Sequence, residues 1–175
     1  MNSDRITCLI PTHNRPQFLR RLLWFYAQHP PRFPFIVIDS SRPELAAENR
    51  SVVEQALPNV RVKYRHVPQN FYDKCVIGMR EVQTPYSVFC ADDDLLFSDA
   101  VWRCADFLEN EPGYASAMGR TAQLNPKLPL WCCRVLRGYS VEHETPLERC
   151  RQLASHWFTN FYAVYRTETL REMFE

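Results

Sequence analysis

The stretch YSVFCADDDLLF, residues 86–97, joins a short apolar run to three consecutive aspartates, Asp92, Asp93 and Asp94. The apolar run has the length and composition of a buried β-strand. Neighbouring carboxylates repel one another, and three of them at the end of such a strand raise the free energy of the folded state unless a cation shares them. A hard divalent cation such as Mg²⁺ or Mn²⁺ prefers oxygen ligands and completes its shell with phosphates. We therefore expect a divalent metal here; the alternative is that the aspartates cap the next helix or face solvent.

Further strand-like runs precede this stretch. ITCLI (6–10) and FIVID (35–39) are almost continuously apolar, whereas VRVKYRHV (60–67) alternates apolar and polar residues as a half-exposed strand does. The segments between these runs have apolar residues at helical spacing. Nearly continuous apolar strands separated by helices are typical of a parallel sheet covered on both faces. The first half therefore predicts the order β-α-β-α-β-α-β, in a single-domain α/β fold with a mostly parallel, Rossmann-like central sheet flanked by helices.

The second half has weaker signals. Ser98 or Asp99 can cap a helix, and YASAMG (114–119) has the composition of a strand. Residues 121–140 contain two prolines and two cysteines and have no clear period. They predict an irregular segment with one short strand around 132–136.

TPLE (145–148) begins the last clearly marked helix. Thr145 at the N-cap, Pro146 at the first helical position and Glu148 at the third form a capping box. The chain ends within RTETLREMFE (166–175), which has helical character and no stop signal, so the sequence leaves open whether this end is natural or truncated. The apolar side of the capped helix carries Leu147, Cys150, Leu153, Ala154 and Trp157.

Composition limits the classes of partner. The chain has 175 residues, of which 46% are hydrophobic and 23% charged, enough for one sizeable core. The net charge of +1 gives no broad positive field, so a nucleic-acid partner is not expected. No apolar run approaches the roughly 18 residues of a membrane span, and residues 1–10 do not resemble a signal peptide. These features predict a cytoplasmic protein whose membrane association is at most peripheral.

The seven cysteines are expected to be free thiols. Their number is odd and they lack the spacing of a zinc site. Free thiols in a reducing compartment behave as small core hydrophobes. Those that fall in strand-like runs or on apolar helix faces are Cys8, Cys90, Cys75, Cys104 and Cys150.

Polar residues follow three of the predicted strands. PTHNRP (11–16) comes after the first, the second ends at Asp39, and the fourth leads into Asp92. In an open parallel sheet, ligands bind in the crevice beyond the carboxyl ends of the strands. We therefore expect these groups to meet at one edge of the sheet.

The combination CLIPTHNRPQFLRRLL (8–23), IVIDSS (36–41) and YSVFCADDDLL (86–96), in that order, resembles the nucleotide-sugar-dependent glycosyltransferases of family two, which have the GT-A fold. The likeness covers residues 5–120. It implies a nucleotide-sugar-binding GT-A core in residues 1–120. Residues 121–175 would then form an acceptor-side segment and the C-terminal helices of the same domain.

The resemblance implies a role for several of these residues. Pro11, Thr12 and Arg15 would line the nucleotide pocket. Asp39 would accept a hydrogen bond from the base, although it can also be interpreted as a turn cap. Lys74 would contact the nucleotide, with a solvated lysine on an exposed helix face as the alternative.

The three aspartates correspond to the DXD-type metal motif of that family. Asp92 would reach the ribose, while Asp93 and Asp94 would hold Mn²⁺ or Mg²⁺. The metal would neutralise charge on the departing diphosphate. A hexosyltransferase-like enzyme of this type transfers sugar from a nucleoside-diphosphate sugar, here preferably UDP-sugar because of Asp39, to an acceptor hydroxyl with inversion.

Such a transfer needs a general base to take the proton of the acceptor hydroxyl. The candidate is Glu144, since Glu148 already has a role in the capping box. His143 and His156 are alternative metal ligands, and Trp131 or Tyr139 could stack on a sugar.

Two other functions remain open from the sequence. A non-catalytic nucleotide- or carbohydrate-binding module would have the same fold without a competent base. A nucleotidyltransferase would share an acidic metal site, but it would normally have a glycine-rich loop after the first strand, and PTHNRP (11–16) has no glycine.

Overall fold

The computed structural model describes residues 5–124, 127, 133–136, 138–156 and 159–174. The strands in these residues are β1 (Ile6–Thr12), β2 (Phe35–Asp39), β3 (Val62–His66), β4 (Tyr86–Phe89), β5 (Ser116–Ala117), β6 (Thr121–Gln123), β7 (Arg134–Leu136) and β8 (Val164–Arg166). The helices are α1 (Pro16–Gln28), α2 (Pro43–Ala56), α3 (Phe71–Arg80), α4 (Ser98–Asn110), α5 (Pro146–Ser155) and α6 (Thr167–Phe174).

The main sheet has six strands in the order β3-β2-β1-β4-β8-β5. Strands β3, β2, β1 and β4 are parallel, whereas β8 runs antiparallel to both β4 and β5. The predicted α/β class with a mostly parallel sheet flanked by helices is confirmed. The sequence did not predict β8, whose residues Val164 and Tyr165 are buried in the sheet.

Burial explains which strands lie at the centre. Every residue of β1, β2 and β4 is buried, as their nearly continuous apolar sequences predict. Strand β3 is half-exposed, in agreement with its alternating sequence and its position at the edge.

Helix α3 approaches the sheet at Gly78. A Cβ atom there would lie 2.8 Å from Cδ1 and 3.0 Å from Cγ2 of Ile38, and 3.2 Å from Cδ2 of Leu9. The missing side chain therefore lets α3 pack directly on β1 and β2. This contact places Lys74, one turn earlier in α3, against the carboxyl ends of both strands.

Two helix starts can be compared with their predictions. Helix α4 begins at Ser98 with Phe97 at its N-cap, so the prediction that Ser98 or Asp99 caps it is wrong. Helix α5 begins with the predicted capping box: the Thr145 hydroxyl accepts from the Glu148 amide, and the Glu148 carboxylate accepts from the Thr145 amide. That capping box is confirmed.

The chain divides into two compact units. The first contains residues 1–117 and 161–175, so the last segment returns to the six-stranded sheet. The predicted role of residues 121–175 on the acceptor side stays a prediction.

The second unit contains residues 118–160. In it, β6 and β7 form an antiparallel pair, and α5 follows β7 in the sequence. Every residue of α5, all within the described part of the chain, is exposed or half-buried. The expected burial of its apolar side is therefore wrong for Leu147, Cys150 and Ala154, which are exposed, whereas Leu153 is half-buried. Trp157 lies outside the described residues.

Three cysteines, Cys8, Cys75 and Cys90, are buried free thiols as expected, whereas Cys104 is a free thiol that is only half-buried. Burial raises the pKa of the Cys75 thiol to about 12, which keeps it protonated. Among the described residues, none of the helices has both the length and the apolar character needed to span a membrane.

Candidate functional site

The candidate site lies at the carboxyl ends of β1, β2 and β4. Thr12 is paired with Asp39 in the β1–β2 register, and β4 lies on the other side of β1. The strand order reverses at β1, which is where open α/β sheets form a ligand crevice. The Thr12 hydroxyl donates to Asp92 Oδ2 over 2.6 Å. The structure thus brings the end of β1 into direct contact with the turn after β4 that contains Asp92, Asp93 and Asp94, here called the acidic turn.

Asp92 is completely buried at this edge. Its Oδ1 lies 2.5 Å from Arg15 Nη2, yet no described residue donates a hydrogen bond of good geometry to this oxygen. Burial raises the pKa of Asp92, and the Thr12 hydroxyl and Arg15 charge oppose this shift only in part. Asp92 is therefore a buried carboxylate whose charge the protein compensates incompletely.

Asp93 and Asp94 are exposed in the turn that follows. Arg15 Nη1 donates to Asp93 Oδ2 over 3.1 Å, and Arg21 donates to the Asp93 carbonyl over 3.0 Å. The Tyr162 hydroxyl donates to Asp94 Oδ2. Both carboxylates therefore face solvent and have a neighbour that fixes their direction.

Tyr162 belongs to the segment that returns to the first unit just before β8. The adjacent Phe161 stacks on Phe89 of β4, with ring centroids 5.5 Å apart. Burial raises the pKa of Tyr162, and its bond to Asp94 raises it further. The hydroxyl therefore stays protonated at neutral pH and remains a donor to Asp94.

Asp39 is also completely buried, but its contacts differ. Its Oδ1 accepts from the Ser41 amide over 2.7 Å, and its Oδ2 accepts from Asn49 Nδ2 over 2.9 Å and from the Tyr64 hydroxyl over 2.6 Å. These contacts agree with the alternative interpretation of Asp39 as a turn cap. Its bond to a nucleobase stays a prediction.

Lys74 is buried with 2% of its surface exposed, so the alternative of a solvated lysine is wrong. Its Nζ donates to the Thr12 carbonyl over 2.7 Å and to Ser40 Oγ over 3.0 Å. Burial lowers the pKa of Lys74, while the charges of Asp39 and Asp92 counteract this shift. The lysine thus joins the loops that follow β1 and β2.

The same two loops share further polar contacts. The Asn14 amide donates to Ser41 Oγ over 2.7 Å, and His13 Nδ1 lies 2.9 Å from the Ser40 carbonyl. Asn14 has a φ of 55°, a left-handed conformation that asparagine tolerates better than most residues. His66 Nε2 lies 2.8 Å from the Ser41 carbonyl. The loop around the predicted nucleotide contacts is therefore well fixed.

The carboxylate oxygens of the acidic turn are the type of ligand that a hard cation prefers when phosphate oxygens supply the rest of its coordination shell. The described residues contain no group of three or more His, Cys, Asp or Glu side chains arranged to hold a metal by themselves. A divalent cation that shares its shell with a diphosphate needs only one or two carboxylates. Exposed Asp93 and Asp94 supply that number, so the residues present fit such an ion.

The predicted base lies in the second unit. Glu144 is exposed, and its carbonyl accepts from Arg149 Nη1 over 2.9 Å. His143 and His156 are exposed in the same unit, and the Tyr139 hydroxyl donates to the Gln152 and His156 carbonyls. Trp131 lies outside the described residues. The role of Glu144 stays a prediction.

Sequence reasoning missed several polar partners at the site. Asn49 has a detectable signal, because it is polar at a position of α2 whose neighbours at helical spacing, Ala46 and Val53, are buried. Tyr162 has none, since it is 68 residues from Asp94 and follows the second unit. Arg21 is one of two adjacent arginines in α1, and the sequence does not distinguish its role from that of Arg20.

Comparisons with solved structures agree on the fold. TarS 1–349 from S. aureus in complex with UDP-GlcNAc has a TM-score of 0.69 at 16% identity, over 97% of this chain and 47% of that one. TarS 1–349 in complex with UDP has a TM-score of 0.68 at 16% identity, over 97% of this chain and 48% of that one. The mannosyltransferase PcManGT from Pyrobaculum calidifontis, in complex with GDP-Man and Mn²⁺, has a TM-score of 0.62 at 16% identity, over 97% of this chain and 46% of that one.

The chain spans about half the length of these solved structures. A comparison with curated protein sequences found no match. The model of the family described as glycosyl transferase family 2 matches residues 7–174, nearly the whole chain. The resemblance stated from the three motifs is thereby confirmed, and the chain belongs to glycosyl transferase family 2.

Proposed function

We propose that this chain binds a nucleoside-diphosphate sugar at the carboxyl ends of β1, β2 and β4 and acts as a glycosyltransferase toward an acceptor hydroxyl. The observation that carries the proposal is the contact of the acidic turn with Thr12 and Arg15 in the β1–β4 crevice. Family membership supports the reaction class. Two of the similar structures contain UDP-GlcNAc or UDP, and a third contains GDP-Man.

Asp93 and Asp94 would hold a divalent metal, Mn²⁺ or Mg²⁺. When bound, this ion would neutralise negative charge on the diphosphate as the sugar leaves. The presence of Mn²⁺ with GDP-Man in the PcManGT structure supports metal use. Tyr162 would orient the Asp94 carboxylate toward the ion.

The chain's other residues would bind and orient the nucleotide. Asp92 Oδ1, which accepts no good hydrogen bond from the described residues, is the atom we assign to a ribose hydroxyl. Pro11, Thr12 and Lys74 would form the wall of the pocket, since Thr12 and Lys74 are buried and bonded to one another.

Uridine is our preferred base. Asp39 ends β2 beside this wall, and in this family such an aspartate contacts the base. Because its oxygens already accept three hydrogen bonds from protein groups, contact with the base would require one of them to be exchanged. Glu144 is proposed as general base for a single displacement with inversion, with a hexose as the transferred sugar.

The direct test is thermal unfolding with UDP and Mn²⁺. Saturating ligand should raise the Tm by about 5–10 °C, because binding to the folded state alone stabilises it. The D93N/D94N variant should lose the shift that depends on Mn²⁺. The matched control is D99N/D106N, which removes two exposed carboxylates from α4 and should keep the shift.

A wild-type chain whose Tm does not change with any nucleoside diphosphate and Mn²⁺ would contradict the proposal. Slow release of UDP from a UDP-sugar distinguishes an enzyme from a binding module of the same fold, because a module should release none.

A further inference from the structure

One arginine is shared by two carboxylates of the acidic turn. Arg15 Nη2 lies 2.5 Å from Asp92 Oδ1, and Arg15 Nη1 lies 3.1 Å from Asp93 Oδ2. The Asp92 side chain is fully buried, whereas the side chains of Arg15 and Asp93 are both 41% exposed. The guanidinium therefore spans the boundary between the buried and the exposed aspartate.

This position is the one that a counter-ion occupies. Adjacent carboxylates repel, and burial makes an uncompensated charge on Asp92 costly. Lys74 is near enough to influence the pKa of Asp92, but its Nζ donates to the Thr12 carbonyl and Ser40 Oγ. Arg15 thus forms ion pairs with Asp92 and Asp93, whereas the charge of Lys74 influences Asp92 without an ion pair.

The contact between Arg15 and Asp92 is held by charge more than by hydrogen bonding. Although 2.5 Å separates the two atoms, their geometry does not qualify as a hydrogen bond. The guanidinium also lies 5.3 Å from the ring centroid of Phe18, whose ring has Arg21 at 5.2 Å as well. A half-exposed cation with such contacts can move without breaking a buried hydrogen-bond network.

We propose that Arg15 is the counter-ion of the acidic turn when no divalent cation is bound, and that it leaves Asp92 and Asp93 when metal and nucleoside diphosphate bind. The guanidinium then exchanges carboxylate oxygens for phosphate oxygens, with which it also forms charge-assisted, bidentate hydrogen bonds. This exchange uncovers Asp92 Oδ1 for the nucleotide. The inference rests on the proposed function, because it assumes that both ligands bind at this turn.

The inference predicts that Arg15 competes with metal when nucleotide is absent. Titration of Mn²⁺, followed by the electron paramagnetic resonance signal of the free ion, should give about tenfold tighter binding for R15Q than for wild type, because a positive charge next to the site is removed. R15K keeps the charge and should stay within about twofold of wild type. R20Q removes a charge from α1, the helix that follows Arg15, where Arg20 pairs with Glu48, and should also change affinity by less than about twofold.

With saturating UDP, the gain in Mn²⁺ affinity of R15Q over wild type should disappear or reverse, because R15Q has no guanidinium to bind the diphosphate. R15M provides a second variant that keeps an apolar stem over Phe18, and unfolding curves identify which variants are folded. Equal or weaker nucleotide-free Mn²⁺ binding by folded R15Q or R15M would overturn the counter-ion role.

Failure of the inference is distinguishable from failure of the proposed function. If wild type binds Mn²⁺ with UDP but R15Q shows no gain without UDP, the counter-ion role is wrong and the proposed function stands. If UDP does not bind to any variant, the proposed function is wrong, and the nucleotide-free titration still reports on Arg15.

Discussion

The carboxyl ends of β2 and β4 each carry a completely buried aspartate, yet the two are satisfied in different ways. Asp39 accepts hydrogen bonds from the Ser41 amide, Asn49 and Tyr64. Asp92 accepts one from Thr12 and otherwise relies on the half-exposed charge of Arg15. Both carboxylate oxygens of Asp39 thus accept hydrogen bonds from protein groups, whereas Asp92 Oδ1 accepts none from the described residues, and we propose that a ligand supplies the missing donor at the end of β4.

The largest effect on stability is expected from removing the Asp39 carboxylate at the end of β2. D39A would leave the Ser41 amide and one N–H of Asn49, both in buried residues, without the acceptor they have in Asp39, and the Tyr64 hydroxyl would keep only the Ala46 carbonyl. The substitution should therefore reduce the free energy of unfolding by about 2–4 kcal/mol. Urea unfolding measures this loss. A reduction below about 0.5 kcal/mol, the size of an ordinary surface substitution, would show that Asp39 does not organise this end of the sheet.

A smaller effect is expected at the end of β4, where we propose that metal and nucleotide bind. Y162F removes the hydroxyl that donates to Asp94 and should weaken Mn²⁺ binding in the presence of UDP by about tenfold, as loss of a partner that orients a metal ligand commonly does. Calorimetric titration measures the affinity. Y165F, which removes the hydroxyl of a buried tyrosine in β8, serves as the control. Equal affinities for wild type and Y162F would contradict the positioning role.

The smallest effect is expected for D92N, which should gain thermal stability. Because burial raises the folded-state pKa of Asp92 above its unfolded value, the folded protein binds the proton more tightly, and stability is lost as pH rises through that folded pKa. D92N keeps an oxygen acceptor for Thr12 but carries no charge. It should therefore have a higher Tm than wild type at pH 7, and the difference should shrink as pH falls toward 4.

Comparison with D99N, an exposed carboxylate on α4, corrects for the general effect of charge. A D92N protein that melts below wild type at pH 7 would mean that Arg15 and Thr12 compensate the buried charge fully. The contrast between Asp39 and Asp92 would then be lost.

The sequence predicted the parts of this fold that depend on local pattern. Strands β1, β2 and β4 were predictable because nearly every residue in them is apolar, and burial of the whole strand requires this. The helix start at Thr145 was predictable because a capping box is a contact between residues three apart. The order of the three motifs then identified the family.

Contacts between distant residues were not predictable in this way. Strand β8 has three residues, too few for a period, and it is buried because it pairs with β4 and β5. The apolar side of α5 has a clear pattern but is largely exposed, so pattern alone did not determine burial. Likewise, the sequence placed Asp92 to Asp94 at a strand end but could not show that one is buried and two are exposed.

The central claim is that the turn after β4 holds a divalent metal together with a nucleoside diphosphate. The most direct measurement is anomalous X-ray scattering from crystals soaked with Mn²⁺ and UDP. We expect a manganese peak within coordinating distance of the Asp93 or Asp94 carboxylate, with the diphosphate on the same ion and Arg15 withdrawn from Asp92. Bound UDP with no manganese at this turn, or a manganese peak elsewhere, would contradict it.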